Sequence, residues 1–447
     1  MSSIVEPPST AKPPAMSSAP QPRASARPAA PPASVAQRPG GTPGPAPRRE
    51  AHRLAWLDAL RGIGALAVVA EHLLPWFLPS LRPYWFSLGV YGIMVFFLVS
   101  GYIIPTSLER HGDVRAFWIG RAFRLYPLYL AVIALVLAVS WWVPVRSEVP
   151  RDGSAVAGHA TMLLDVVGVG GVADTMWTLS YEMIFYLLVT ALFLLRAHGR
   201  SGLLSMLFAA AAVLVGLVAS GAAFTGGWTA YVSCAVFAAG LACVVTGRMR
   251  TVAACVLALM ALALLLLGSR VPWLGTAVVA VMFAGTAIRR WERGDGGLWP
   301  VAVTAALVAV APLWAVEGGW WWVRADVWIT TLVLAGLTFA GGMALRGRRL
   351  PRALTWLGLV SYSLYLVHHP VLKYVAELTG DLRRAPLVQQ AAVSAATVAG
   401  VLAVSALSYR YVERPMQELG RRVGLRSAPA RSAGGGPVPV PPPGPRP

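Results

Sequence analysis

Charge is what this chain has least of. Aspartate, glutamate, lysine and arginine make up 13% of its 447 residues, roughly half of what soluble domains carry. That shortfall excludes an ordinary water-exposed globule. Acid is scarcer than base, 19 residues against 38, for a formal net charge of +19 and an isoelectric point near 10.8. Such a surplus would suit nucleic acid. The arginines, however, gather in short segments between apolar runs, where the positive-inside bias puts them, so no nucleic-acid partner is expected. Cysteine is nearly absent. Cys234, Cys243 and Cys255 all fall inside apolar runs, which excludes a disulfide framework and offers no metal-ligand spacing. Residues 1–50 have hardly any large apolar side chains and are mostly Pro, Ala, Ser and Arg. They can neither bury a core nor act as a signal peptide. The Pro/Gly-rich end, from about Ser427, reads the same way.

What is abundant is apolar. Hydrophobic residues reach 56% and mean hydropathy is +0.61. About twelve runs have the length that a bilayer demands. They fall near 54–77, 85–107, 125–143, 176–195, 203–221, 229–246, 252–268, 273–289, 299–316, 326–345, 354–372 and 386–409. Arginines cluster at alternate boundaries. Examples are Arg48, Arg49 and Arg53 before the first run, Arg110, Arg115, Arg121 and Arg124 after the second, and Arg346, Arg348, Arg349 and Arg352 after the tenth. This alternation predicts that both termini are cytoplasmic. The expected fold is all-α: a polytopic, multi-pass bundle of about 10–12 transmembrane helices in the cytoplasmic membrane. It occupies residues 51–420, with disordered tails over 1–50 (cytoplasmic) and 421–447.

Against that apolar background the ionisable residues stand out, because burying them in a bilayer is expensive. The first run, LAWLDALRGIGALAVVAEHLLPWF, carries Asp58, Arg61, Glu71 and His72. Eleven residues separate Arg61 from His72, so they lie about 20° apart round a helix and about 16 Å apart along it. One face thus offers a fixed cation and a titratable imidazole. Snorkelling and headgroup contact would explain either residue alone. They explain the pair less well, with Asp58 one turn before Arg61 as an ion partner. Glu182, in TMWTLSYEMIFYLL, has no local cationic partner. It is either protonated, bonded between helices, or set against a wet cavity. Trp177 at the start of that run is a substrate contact or an interfacial belt residue.

The eleventh run places Ser361, Tyr362, Ser363 and Tyr365 at mid-depth and His368 and His369 beyond them. Hydrogen bonds between helices would account for the hydroxyls. Adjacent residues point about 100° apart, so at most one of the two histidines is expected to share a cavity with His72. Arg121 and Arg124 sit in an inner loop, DVRAFWIGRAFRLYPLY, one turn apart at the membrane surface. They are either topology-setting headgroup contacts or a clamp for phosphate, which guanidinium forks suit.

LDALRGIGALAVVAEHL resembles the opening helix of the acyltransferase 3 family, membrane O-acyltransferases that modify sugars, lipids and antibiotics. The family's basic residue and histidine, ten residues between them, are matched by Arg61 and His72. FFLVSGYIIP, from Phe96 to Pro105, is similar to its second-helix segment, and RAFRLYPLY to its RxxR loop at Arg121 and Arg124. SYSLYLVHHPVL resembles its SYSxYLxHxP signature, which gives the family histidine to His368. Val367 and His369 stand where aromatic residues are usual. YRYVERPM is similar to the closing ERP segment. The resemblance runs from Leu54 to about Met416, and no extra esterase-like domain is expected after it.

The resemblance implies transfer of an acyl group, expected to be acetyl, from acyl-coenzyme A as co-substrate to a hydroxyl of a carbohydrate, glycolipid or sugar-bearing small molecule. His72 would be the general base, with Arg61 and Glu182 assisting. Arg121 and Arg124 would hold the donor's phosphates, and Trp177, Ser361, Tyr365 and His368 would line the acceptor site. No bound cofactor or metal is expected, and membrane lipid surrounds the whole. The rival reading is a twelve-helix secondary transporter with buried His, Glu and Arg as a proton relay. It lacks a visible repeat between the two halves and matched Gly/Pro-broken helices.

Overall fold

The computed structural model describes residues 48–143, 151–218, 221–224, 226–314 and 320–426. The tails expected over 1–50 and 421–447 fall largely outside them. The described chain is helical, with no strand among the described residues. Its helices are α1 (Arg48–Phe77), α2 (Leu88–His111), α3 (Val114–Val139), α4 (Gly153–Thr161), α5 (Trp177–Leu194), α6 (Ser201–Val218), α7 (Trp228–Thr246) and α8 (Arg250–Ala263). They continue with α9 (Pro272–Glu292), α10 (Trp299–Val310), α11 (Ala325–Ala344), α12 (Arg352–Leu359), α13 (Ser361–Thr379), α14 (Leu387–Ser408) and α15 (Arg414–Arg426).

Among the described residues nine helices are long and apolar enough to cross a membrane. The other three expected runs differ for local reasons. The first is helical throughout α1 but carries four charged or titratable groups. The run at 299–316 is a 12-residue helix, α10, continued by a single 3₁₀ turn. The run at 354–372 is broken at Val360, which leaves helical geometry with φ −90° and ψ 4° and separates α12 from α13.

The RxxR segment is not a loop. Gly112 closes α2 in the left-handed conformation, φ 68°, and Asp113 caps α3 by accepting from the Ala116 amide at 3.0 Å. With cap and stop adjacent, no room for a loop remains, and Arg121 and Arg124 lie inside α3. A second element had no signal in the runs. The turns around Asp165 and Asp174 and the stretch from Met162 to Met176 are largely buried. They are too short and too interrupted by glycine to read as a span.

Packing is tightest where side chains vanish. Almost all of α9 from Pro272 to Ala287 is buried. A Cβ on Gly101 of α2 would stand 1.8 Å from the Met282 carbonyl oxygen of α9, and one on Gly285 would stand 2.3 Å from that of Leu98. α1 meets α12 the same way, with a Cβ on Gly358 falling 1.9 Å from the Asp58 carbonyl. Small residues at crossings are the usual basis of helix packing in lipid. Large apolar side chains such as Leu207, Leu214, Leu259 and Leu337 face outward instead. That is the surface a bilayer covers.

Gly101→Ala should therefore force the α2 and α9 backbones apart. The loss should reach or exceed the ~1–3 kcal/mol of ordinary overpacking. Gly120→Ala, where a Cβ meets nothing within 4 Å, is the matched control. Thermal denaturation of the detergent-solubilised variants checks this. Equal midpoints for the two would contradict the close crossing.

Candidate active site

Five helices meet round a half-open cavity of about 80 Å³. α1 contributes Arg61, α3 contributes Arg121, Arg124 and Leu125, and α5 contributes Thr178, Leu179 and Glu182. α13 adds Ser361, Tyr362 and Tyr365, and α2 closes the apolar side with Ile93, Phe96, Phe97, Ser100 and Ile104. The stripe at 93, 97, 100 and 104 follows the helical repeat, so a single face of α2 forms that wall.

Three guanidinium groups share this space with carboxylates that make their burial tolerable. Arg61 stands 3.7 Å from Asp58 on its own helix, and its side chain is only 16% exposed. It also lies within the electrostatic reach of Arg121, Arg124 and Glu182. Glu182 accepts a short hydrogen bond from the Tyr186 hydroxyl. Arg121 stacks over Phe117 and Tyr186, 5.2 and 5.1 Å from their ring centres. Arg124 lies in the field of Glu182 and Glu413. Glu413 is itself held by the Ser363 hydroxyl at 2.7 Å and the Gln417 amide at 2.9 Å. Glu182, isolated along its own helix, therefore gains its cations from α1 and α3. The described ion pairs within 4.0 Å include neither Arg121 nor Arg124, so both forks can accept an anion.

The histidines form a second group outside the lining of this cavity. Tyr365 makes the join. Its hydroxyl donates to the Thr175 carbonyl at 2.7 Å and lies 2.6 Å from the Thr178 hydroxyl. Its ring centre is 5.9 Å from that of His368. His72 sits beyond, between His368 and His369, with both ring centres 5.2 Å away. At most one of this pair is expected to share a cavity with His72, yet both rings lie against it. α13 passes so close to α1 that side chains 100° apart flank the imidazole from two sides.

The tautomers follow from the acceptors. His72 Nδ1 is 2.9 Å from the Val68 carbonyl and His368 Nδ1 is 3.0 Å from that of Leu364. A carbonyl only accepts, so both Nδ1 atoms carry hydrogen. His368 Nε2, 3.4 Å from His72 Nδ1, then offers a second, weaker acceptor to that hydrogen. His72 Nε2 is left with its lone pair, the chemical form of a base. The carboxylate beside this group is Asp174, with an oxygen 3.3 Å from His369 Nε2, rather than Glu182. Trp177 stands off the cavity, its ring 5.7 Å from Tyr181. One position before Thr178, it points about 100° away round α5.

Four contributors had no sequence signal: Tyr186, Glu413, Asp174 and Thr178. Glu413 lies in the ERP segment, where only the resemblance could have drawn attention to it. Asp174 lies in the short turn that the run-length reading passed over. Among the described residues no group of three or more His, Cys, Asp or Glu is arranged to hold a metal ion.

A basic cavity next to a cluster of histidines, inside a polytopic helical bundle, is the setting of membrane-embedded group transfer or ion coupling. The acyltransferase 3 family model, described as an acyltransferase domain, matches residues 54–406, and the chain belongs to that family. YrhL of Bacillus subtilis, named as a candidate peptidoglycan O-acetyltransferase, is 26% identical over 198 residues, 38% of this chain and 30% of that protein. OatA of Listeria monocytogenes, a peptidoglycan O-acetyltransferase, is 28% identical over 158 residues, 31% of this chain and 24% of that protein. A Staphylococcus aureus protein named as a candidate O-acetyltransferase is 35% identical over 89 residues, 19% of this chain and 13% of that protein. The matched segments thus span less than a third of these relatives' own length. No solved structure matches the chain.

Proposed function

We propose that this chain is a membrane O-acyltransferase that moves an acetyl group from acetyl-coenzyme A to a hydroxyl of a glycan or other carbohydrate acceptor. The carrying observation is one arrangement. Two guanidinium groups outside the described ion pairs and Arg61 line a cavity whose Tyr365 packs against His368, and His368 in turn against His72, whose Nε2 keeps its lone pair. The names of the relatives support acetyl as the group and a glycan as the acceptor.

In this reading Arg121 and Arg124 hold the donor's phosphates, and Arg61 guides the pantetheine arm towards the histidines. The acceptor hydroxyl oxygen attacks the thioester carbonyl, and its proton passes to His72 Nε2. The carbon–sulfur bond then breaks, and the thiolate takes that same proton back from His72 and leaves as free coenzyme A. Val68 and Leu364 carbonyls keep the two imidazoles oriented. Tyr365, Ser361 and His368 line the path between arginines and base, and Glu182 with Tyr186 keeps the arginine cluster in place.

The test is thioester consumption by purified protein with acetyl-coenzyme A, with and without a glycan acceptor. Acceptor-dependent loss of thioester supports the reading. A protein that moves protons or solutes across vesicles without consuming thioester is the transporter instead. Sidedness is tested by reporters fused after Glu50, after Met416 and near Arg151. The first two should read as cytoplasmic and the third as external. The opposite pattern would put the arginine end of the cavity away from cytosolic donor.

A further inference from the structure

The other large cavity lies behind α2. Phe97 and Ile104 face the basic cavity, whereas Met94 and Leu98, on the next stripe, face a space of about 460 Å³ between α2, α9, α10 and α11. Small residues create the room. Ala284, Ala305, Ala335 and Ala340 line it, and a Cβ added to Gly336 would meet nothing within 4 Å.

Its chemistry excludes water. A volume that size would take on the order of fifteen water molecules, each needing two to four polar partners. The lining offers one hydroxyl, that of Thr304, which lies 2.8 Å from the Pro300 carbonyl and 3.0 Å from the Ser205 hydroxyl and is already satisfied. An apolar cavity of about 150 Å³ stays dry and takes up a hydrocarbon, and this one is larger still. Depth sets the length of the occupant. From Leu298 to Val308 the wall rises about 15 Å, half of the ~30 Å hydrocarbon thickness and so one leaflet. Near the far end the Trp328 indole donates to the carbonyl of the lining residue Val308 at 3.0 Å.

The near end, at Ile288, Trp291 and Met343, is ringed by charge. Arg346 donates to Glu292. Arg289 lies 2.5 Å from the same carboxylate, while Arg290 and Arg293 lie 2.5 and 3.7 Å from Glu109. Four guanidinium groups thus share two carboxylates, Arg290 keeps a buried Nε without a partner, and Arg348 and Arg349 follow, exposed. Such a surplus at a bilayer surface attracts anionic phosphate.

We infer that this cavity is a binding site for one anionic phospholipid of the bilayer, with an acyl chain in the space between α2, α9, α10 and α11 and its phosphate at the arginines around Arg346. The site is separate from the basic cavity and does not rest on the acyl-transfer reading.

The experiment is native mass spectrometry, with lipid extraction, of protein purified in mild detergent and supplied with phosphatidylglycerol or phosphatidylcholine. The wild type should retain about one phosphatidylglycerol per chain and hold it at least several-fold better than phosphatidylcholine. Gly336→Phe, which puts a ring into the space, should lower retention at least tenfold while the protein stays monodisperse. Ala340→Phe replaces it if that variant does not fold. Arg346→Gln should keep a lipid but lose the preference for phosphatidylglycerol. Wild-type protein with no retained lipid, equal retention of both lipids, or unchanged retention in a folded cavity-filling variant would each overturn the inference.

Discussion

His72→Ala is expected to lower single-turnover transfer by about 10²–10⁴-fold, the range that removal of a general base produces. Position and tautomer both point to this residue. Its Nδ1 is committed to the Val68 carbonyl 2.9 Å away, so Nε2 is the atom that can take a proton. The loss should appear in turnover rather than in donor affinity, because in the proposed reaction the imidazole acts on the acceptor's proton in the transition state. Insertion should be normal, since the substitution removes a polar group from a membrane helix. The rate of the wild type should fall on the acid side, because an imidazolium has no lone pair to offer. The residual rate of His72→Ala should lack that acid limb. His368→Ala separates the roles. Its Nε2 faces His72 Nδ1 at 3.4 Å, so its loss should disturb the orientation of His72 and have the smaller effect. A His72→Ala rate within about threefold of wild type, against the loss expected for a base, would remove His72 from the chemistry.

The parts of this molecule that were legible in sequence were those governed by length and period. Apolar runs of bilayer length gave the bundle, and the eleven-residue interval between Arg61 and His72 set the distance between the cation and the imidazole. The pairing of helices was not legible, and the errors share that origin. Whether His368 or His369 would meet His72 depends on how closely α13 crosses α1, and that approach is set by contacts between glycine and backbone such as Gly358 against Asp58. Glu182 looked isolated because its cations come from other helices. Arg121 and Arg124 looked like a loop because two arginines interrupt an apolar run, yet the cap at Asp113 starts the helix before them. Asp174 and Glu413 belong to short or polar segments that no periodicity marks.

Replacing Arg121 and Arg124 together by alanine is expected to raise the Michaelis constant for acetyl-coenzyme A by about 10²-fold with little change in turnover. Each charge-assisted hydrogen bond contributes about 1.5–3 kcal/mol, and 1.4 kcal/mol is a tenfold change in affinity. Loss of both forks therefore removes two or more such contacts, partly offset by screening at the open mouth. The phosphates are distant from the reacting carbonyl, so this binding is the same in ground and transition states and should not alter turnover. Three features support the proposed role of these two arginines as the donor's anchor. They sit one turn apart on α3, they are outside every described ion pair within 4.0 Å, and they line the same cavity as Arg61. Arg121 also lies over the Tyr186 ring, 5.1 Å from its centre, which restricts its fork. Donor affinity of the wild type should weaken as salt rises, since part of the contact is solvent-facing, and the double variant should show a shallower dependence. Steady-state kinetics against donor concentration at several ionic strengths reads both effects. Unchanged donor affinity in a correctly inserted double variant would reduce these arginines to topology signals and leave Arg61 as the cation to test next.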